Sequence, residues 1–197
     1  MGGVGEGCYG EAVDLRRLPA EIRTPRLIVR LAREEDGPAV ADAIAETLGL
    51  LVPWFKWAEY LERWGDRGDF EARAVTAVRR FEEGEGPTYF LWAGERVVGE
   101  VWLGAEGSRF DVLNYNVWVR RSAAGSGYGA EGSRAALAAA FAAGAEAIEA
   151  RVRSENFRSR RLMVAVGFQR HGWLQELERY VVTRETLVEA RALARSG

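Results

Sequence analysis

The sequence predicts an α/β (α+β) fold in which one mixed β-sheet carries helices on both faces. Three observations lead there. Short β-branched and aromatic runs alternate with stretches of helical periodicity along most of the chain, and such alternation builds a layered sheet-and-helix domain. A glycine-rich run stands between a strand pattern and an alanine-rich helix pattern. No repeat and no linker divides the 197 residues, a length that suits one domain with a proper core. Residues 23–197 are therefore expected to form a single domain, preceded by a flexible, glycine-rich lead-in over residues 1–22.

Residues 26–31, RLIVRL, open the fold as a strand introduced by Pro25. Asp36 then offers an N-cap, Pro38 suits a first helical turn, and Val40, Ile44 and Leu48 recur at helical spacing. Residues 52–64 are crowded with Trp54, Phe55, Trp57, Tyr60 and Trp64. A second helix is expected from about Asp69 to Glu83, with Phe70, Ala74, Ala77, Val78 and Phe81 on one face. Residues 89–93 and 97–103 flank a Gly94-Glu95 turn as a hairpin. In a strand over 115–119, Tyr115, Val117 and Val119 face one way and Asn116 and Trp118 the other. The glycine loop 125–129 leads into a helix ending near Gly144. A strand at 148–152, a helix at 156–166 and strands near 168–173 and 177–182 complete the order β, α, α, β, β, β, α, β, α, β, β.

Composition narrows the function. A formal charge of −2 argues against nucleic acid or an anionic membrane as partner. Cys8 and His171 are the sole cysteine and histidine, so no metal site built from such ligands is expected. The longest apolar run, residues 135–147, is too short to cross a bilayer. The first residues lack the charged and apolar regions of a signal peptide, and a cytoplasmic setting is expected.

The segment GSGYGAEG, residues 125–132, carries the chemistry. Glycines let the backbone approach a ligand, and the amides and dipole of a helix start attract phosphate. Gly127, Gly129 and Gly132 also match G-x-G-x-x-G, with Glu149 placed as a ribose carboxylate would be. A dinucleotide fold is nonetheless rejected. RRSAA separates the preceding strand from the first glycine, that strand alternates polar with apolar, and only about 70 residues follow the loop.

TPRLIVRLAREED at residues 24–36, GSGYGAEG at 125–132 and NFRSRRLMVAVGF at 156–168 together resemble the GNAT acetyltransferase superfamily, in particular its ribosomal-protein N-terminal acetyltransferases. The resemblance covers roughly residues 24–183. It implies a GNAT-like, mostly antiparallel twisted sheet of about seven strands, and acetyl-CoA as cosubstrate without a metal. It places the coenzyme A pyrophosphate at Ala124, Gly125, Ser126 and Gly127, continuing through Tyr128, Gly129 and Ala130. The basic residues usual at the positions of Ala124 and Ser126 are missing here, and Arg120 and Arg121 are the nearby candidates to compensate. Pantetheine would pair with the backbone of Val117 and Val119 and meet Asn156, which also suits a helix N-cap.

Acetyl transfer needs a neutral amine, a stabilised oxyanion and a proton for the thiolate. Ser159 matches the family's proposed proton donor. Counting forward from Gly167-Phe168 places Glu178 at an acidic position that can act as base; Glu176, Glu149 and Glu100 compete and read as solvated surface charges. Trp54 and Trp57 are the candidates to face the acceptor. The implied reaction is direct attack of a primary amine, small-molecule or protein N-terminal, on acetyl-CoA in a ternary complex, with Cys8 uninvolved. A non-catalytic acyl-CoA-binding module is the alternative, and a homodimer is left open.

Overall fold

The computed structural model describes residues 13–104 and 112–196. Cys8 lies outside them. Two strands, β1 (Glu21–Arg23) and β2 (Ile28–Leu31), are followed by three helices, α1 (Gly37–Leu51), α2 (Lys56–Trp64) and α3 (Arg67–Glu82). Then come β3 (Thr88–Ala93), β4 (Arg96–Gly104) and β5 (Val112–Val119), α4 (Tyr128–Ala142), β6 (Ala147–Val152) and α5 (Phe157–Val166). The hairpin β7 (Gln169–Leu174) and β8 (Leu177–Thr183) precedes α6 (Arg184–Ser196).

The strands form one sheet in the order β1-β2-β3-β4-β5-β6-β8-β7. Neighbours are antiparallel except β5 and β6, which run parallel. Two apolar layers cover it. On one face Val40, Ile44, Ala58, Leu61 and Ala74 of α1–α3 pack with Phe90, Val97 and Trp118. On the other, Ala136, Leu137 and Phe141 of α4, Met163 of α5 and Leu187 of α6 meet Val101, Leu103, Tyr115 and Ile148. Because both faces are covered, β4 is buried from Val97 onward, as the central strand of a sandwiched sheet must be.

The split between β5 and β6 positions the site. β5 pairs with β4 from Gly104↔Asn114 to Gly99↔Val119. It pairs with β6 only at Val112↔Ala147, Leu113↔Ile148 and Asn114↔Glu149. Beyond Asn114 the two strands part, and β5 presents an unpaired backbone edge to the gap.

Four elements differ from expectation. The ordered fold reaches into the expected lead-in: Leu15 and Leu18 are buried in the core, and β1 begins at Glu21. The sheet has eight strands rather than about seven, the extra one being this three-residue edge. The aromatic stretch contains a helix, α2, which buries Ala58 and Leu61, three residues apart; the exposed Tyr60 and Trp64 obscure that period in the sequence. The helix α6 was not expected, although Thr183 and Thr186 mark its start by reciprocal side-chain-to-amide bonds of 3.1 and 3.5 Å. Charged residues at 184, 185, 189, 191 and 195 interrupt its short apolar runs, which weakens the apolar signal. Among the described residues no single helix is long and apolar enough to cross a membrane.

Candidate active site

The glycine loop ends in Gly127, the N-cap of α4, which sits at φ 82°. A left-handed backbone there is costly for any residue with a Cβ. Ser126 N–H bonds back to Ala123, and Glu131 N–H to Gly127. The amides of Gly125, Gly127, Tyr128, Gly129 and Ala130 take no such bond, so a row of donors opens at a helix N-terminus, an arrangement suited to an anion. Gly129 lets α4 sit close to the sheet: a Cβ on it would come within 2.8 Å of Val119 Cγ2.

Two side-chain networks hold this loop. On one side Thr24 Oγ1 donates to Glu131 Oε1 at 2.6 Å and the Arg26 amide to the same oxygen at 2.9 Å. Arg26 Nε donates to Glu131 Oε2 at 2.7 Å and Nη1 to the Ser126 carbonyl at 2.8 Å. On the other side Glu46 of α1 accepts from the Ser122 amide at 2.6 Å and from Arg120 Nε at 2.5 Å. The hydrogen bonds of Ser122 and then Arg120 hold the Glu46 carboxyl down at about 2. Arg120 is thus committed to α1, and its side chain is largely buried. Arg121 is exposed; its amide donates to Thr47 Oγ1 and its carbonyl accepts from the Ala124 amide.

At the far side of the gap, Asn156 caps α5 by accepting the Ser159 amide on Oδ1 at 3.1 Å. The capping role is therefore realised. Val117 and Val119 lie on the part of β5 that β6 leaves unpaired. Glu178, next to Val152 in the β6–β8 register, is buried, not solvated. Tyr180 Oη donates to its Oε2 at 2.7 Å, Arg160 Nε lies 3.0 Å from Oε2, and Arg170 Nε 3.5 Å from Oε1. Arg160 follows Ser159 on α5, so Glu178 and Ser159 are tied to one helix.

A cavity opens on the face covered by α1–α3. Phe55, Trp57, Arg73, Glu100, Trp102 and Trp118 line it, with Asn116 and Val117 joining it to β5. Glu100 is 7% exposed, and Arg73 Nη2 lies 3.5 Å from its Oε1. The Arg73 guanidinium stacks 4.1 Å above the Trp57 ring. Arg73 Nε and the indole nitrogens of Trp102 and Trp118 are buried donors without a partner, which is uncommon unless a ligand or water completes them.

These positions correct the sequence reading at three points. Trp57 faces the cavity, but Trp54 is not among its lining residues and is exposed at the end of α1. Glu100 is buried rather than a surface charge because α1–α3 together cover that face of the sheet and Arg73 of α3 lies against it. Glu149 is buried as well: burial pushes its carboxyl up, but hydrogen bonds from Arg179 and Arg151 outweigh that and lower it. Trp102, Trp118 and Arg73 line the cavity without having been singled out in the sequence, and Glu100 entered there only as a competitor for the base. Only the alternation of β4 hinted that Glu100 and Trp102 share a face.

Residues 26–169 match the model of the acetyltransferase (GNAT) domain. The chain belongs to the GNAT acetyltransferase family. It is an N-acetyltransferase that takes its acetyl group from acetyl-CoA, as that family does. Among solved structures it is similar to Mycobacterium smegmatis RimJ in complex with CoA-disulfide, at 22% identity, covering 92% of each chain with a TM-score of 0.72. It is also similar to RimL, the ribosomal L7/L12 alpha-N-protein acetyltransferase in complex with coenzyme A, at 15% identity over 86% of this chain and 98% of that one, TM-score 0.73. A third likeness is to the microcin C7 self-immunity acetyltransferase MccE in complex with acetyl-CoA and AMP, at 11% identity over 86% and 99%, TM-score 0.71. Comparison with the curated proteins gives no match.

Proposed function

We propose that this enzyme acetylates the α-amine of a peptide or protein N-terminus by direct attack on acetyl-CoA in a ternary complex. The cavity beside β5 carries the reading. It combines one buried carboxylate, Glu100, with three unpartnered donors, Arg73 Nε, Trp102 Nε1 and Trp118 Nε1. An α-amine offers a matching pair, a basic nitrogen next to a carbonyl oxygen. A simple alkylamine would leave the donors unsatisfied, which is costly in a buried site. The structural likeness to RimJ and RimL supports the same class of acceptor.

In this reading the amides from Gly125 to Ala130 hold the pyrophosphate. The pantetheine arm runs in the gap along Val117 and Val119, past Asn156, and its thioester reaches the cavity where Val117 lines both spaces. Glu100 takes the proton of the incoming ammonium. The nitrogen attacks the thioester carbonyl, the carbon–sulfur bond breaks, and Ser159 hands a proton to the departing thiolate while the second proton released by the nitrogen restores the serine hydroxyl, through water. Glu178 orients α5 through Arg160. The reaction belongs to a single domain, for which a cytoplasmic setting fits.

Initial rates measured with acetyl-CoA against short peptides should show intersecting patterns, with acetate on the N-terminal nitrogen by mass spectrometry. A polyamine and an N-blocked lysine peptide serve as comparison acceptors. Parallel kinetic patterns, or faster turnover of those two amines than of the free N-terminus, would overturn the proposal.

Ser159→Ala is expected to lower kcat by about 10²-fold, the usual scale of general acid help. The KM for acetyl-CoA should stay close to wild type, because the α5 cap uses the Ser159 amide and not its hydroxyl.

A further inference from the structure

We propose that Arg26, paired with Glu131, is a positioning residue for the cofactor loop, acting by orienting one peptide unit rather than by its own charge. The inference rests on the reading that residues 125–130 hold the coenzyme A pyrophosphate.

The geometry divides the guanidinium between two tasks. Nε and Nη2 face Glu131 Oε2, at 2.7 and 2.6 Å. Nη1 donates to the Ser126 carbonyl at 2.8 Å. A trans peptide unit is planar, with its carbonyl and N–H pointing in opposite directions, and no cis bond occurs among the described residues. Holding the Ser126 carbonyl toward Arg26 therefore turns the N–H of Gly127 away from Arg26, toward the open side of the loop. The guanidinium also lies 4.8 Å from the centre of the Tyr128 ring, which fixes the first residue of α4.

The partner carboxylate needs this arrangement as much as the loop does. Glu131 stands in the first turn of α4, the turn whose amides would take the anion. Left unpaired, its charge would repel a phosphate. Burial pushes its carboxyl up, but the hydrogen bonds of Thr24 and Arg26 outweigh that and keep it ionised. Thr24 and the Arg26 amide also fix where the carboxylate sits. The pair is thus neutral as a unit. It supplies direction where Ala124 and Ser126 supply no positive side chain.

The test compares two acetyl donors. Acetyl-CoA carries the 3′-phospho-ADP portion with its pyrophosphate and S-acetylpantetheine does not, so the change in the ratio of their kcat/KM values on substituting Arg26 reads what the clamp contributes to holding that portion. Both values come from the same protein preparation, and any loss of folded enzyme cancels. Arg26→Met is expected to lower this ratio by about tenfold, the scale of one hydrogen bond to a charged group, through KM and not kcat. Arg26→Lys keeps the charge but not the planar fork, and should lower the ratio similarly. An unchanged ratio in Arg26→Met, or full recovery in Arg26→Lys, would overturn the clamp. A ratio near one in the wild-type enzyme would instead overturn the placement of the pyrophosphate, leaving the two failures distinct.

Discussion

Gly127→Val is expected to abolish measurable coenzyme A binding, and with it at least about 100-fold of kcat/KM for acetyl-CoA. Gly127 holds φ 82° at the start of α4, a conformation costing on the order of 1–2 kcal/mol for an ordinary residue and more for a β-branched one. A Cβ there would also stand 3.1 Å from Arg26 Nη2, so the guanidinium that orients the loop must give way. Either response, a changed φ or a displaced Arg26, turns the amides off their target. Gly129→Val should fail for a different reason. Its Cβ would stand 2.8 Å from Val119 Cγ2, pushing α4 off the strand that flanks the gap. That variant should lose thermal stability as well as affinity. Ser126→Ala is the contrast: its side chain is exposed and only its backbone is engaged, so affinity should hold. Calorimetric titration with coenzyme A, with melting curves alongside, reads all three. Wild-type affinity in Gly127→Val would remove the glycine loop from the cofactor site.

Glu100→Gln is expected to lower kcat by about 10² to 10⁴-fold at neutral pH, the range of general base help. The sign of its pH dependence is set by the acceptor. An amine with the pKa of an α-amino group, about 8, is mostly protonated at neutral pH and becomes neutral as pH rises. The glutamine variant should therefore recover part of its rate toward high pH, whereas wild type needs less help from solvent at low pH. Glu178→Gln should behave otherwise. Two arginines and Tyr180 surround that carboxylate, so its lone pairs are already engaged. Its loss should reduce stability, with a pH–rate profile parallel to wild type. A parallel profile in Glu100→Gln combined with high-pH recovery in Glu178→Gln would move the base to Glu178.

Local features were legible in the chain because they are written in short-range chemistry. The period-2 runs became strands, Asn156 became a cap, and Gly127 became the left-handed turn before an alanine-rich helix, each from constraints acting within a few residues. Features that depend on packing were not. Glu100 reads as a surface charge until α1–α3 are laid over that face of the sheet. Glu149 reads the same way until Arg151 and Arg179 close around it. The split that leaves Val117 and Val119 without a partner strand cannot be seen in either β5 or β6 alone, since it lies in where their pairing stops. The contact between Arg26 and Glu131 joins positions 105 residues apart. Periodicity and propensity report what a residue prefers from its neighbours along the chain. Burial, charge pairing and strand separation are set by neighbours in space, and only the folded sheet brings those together.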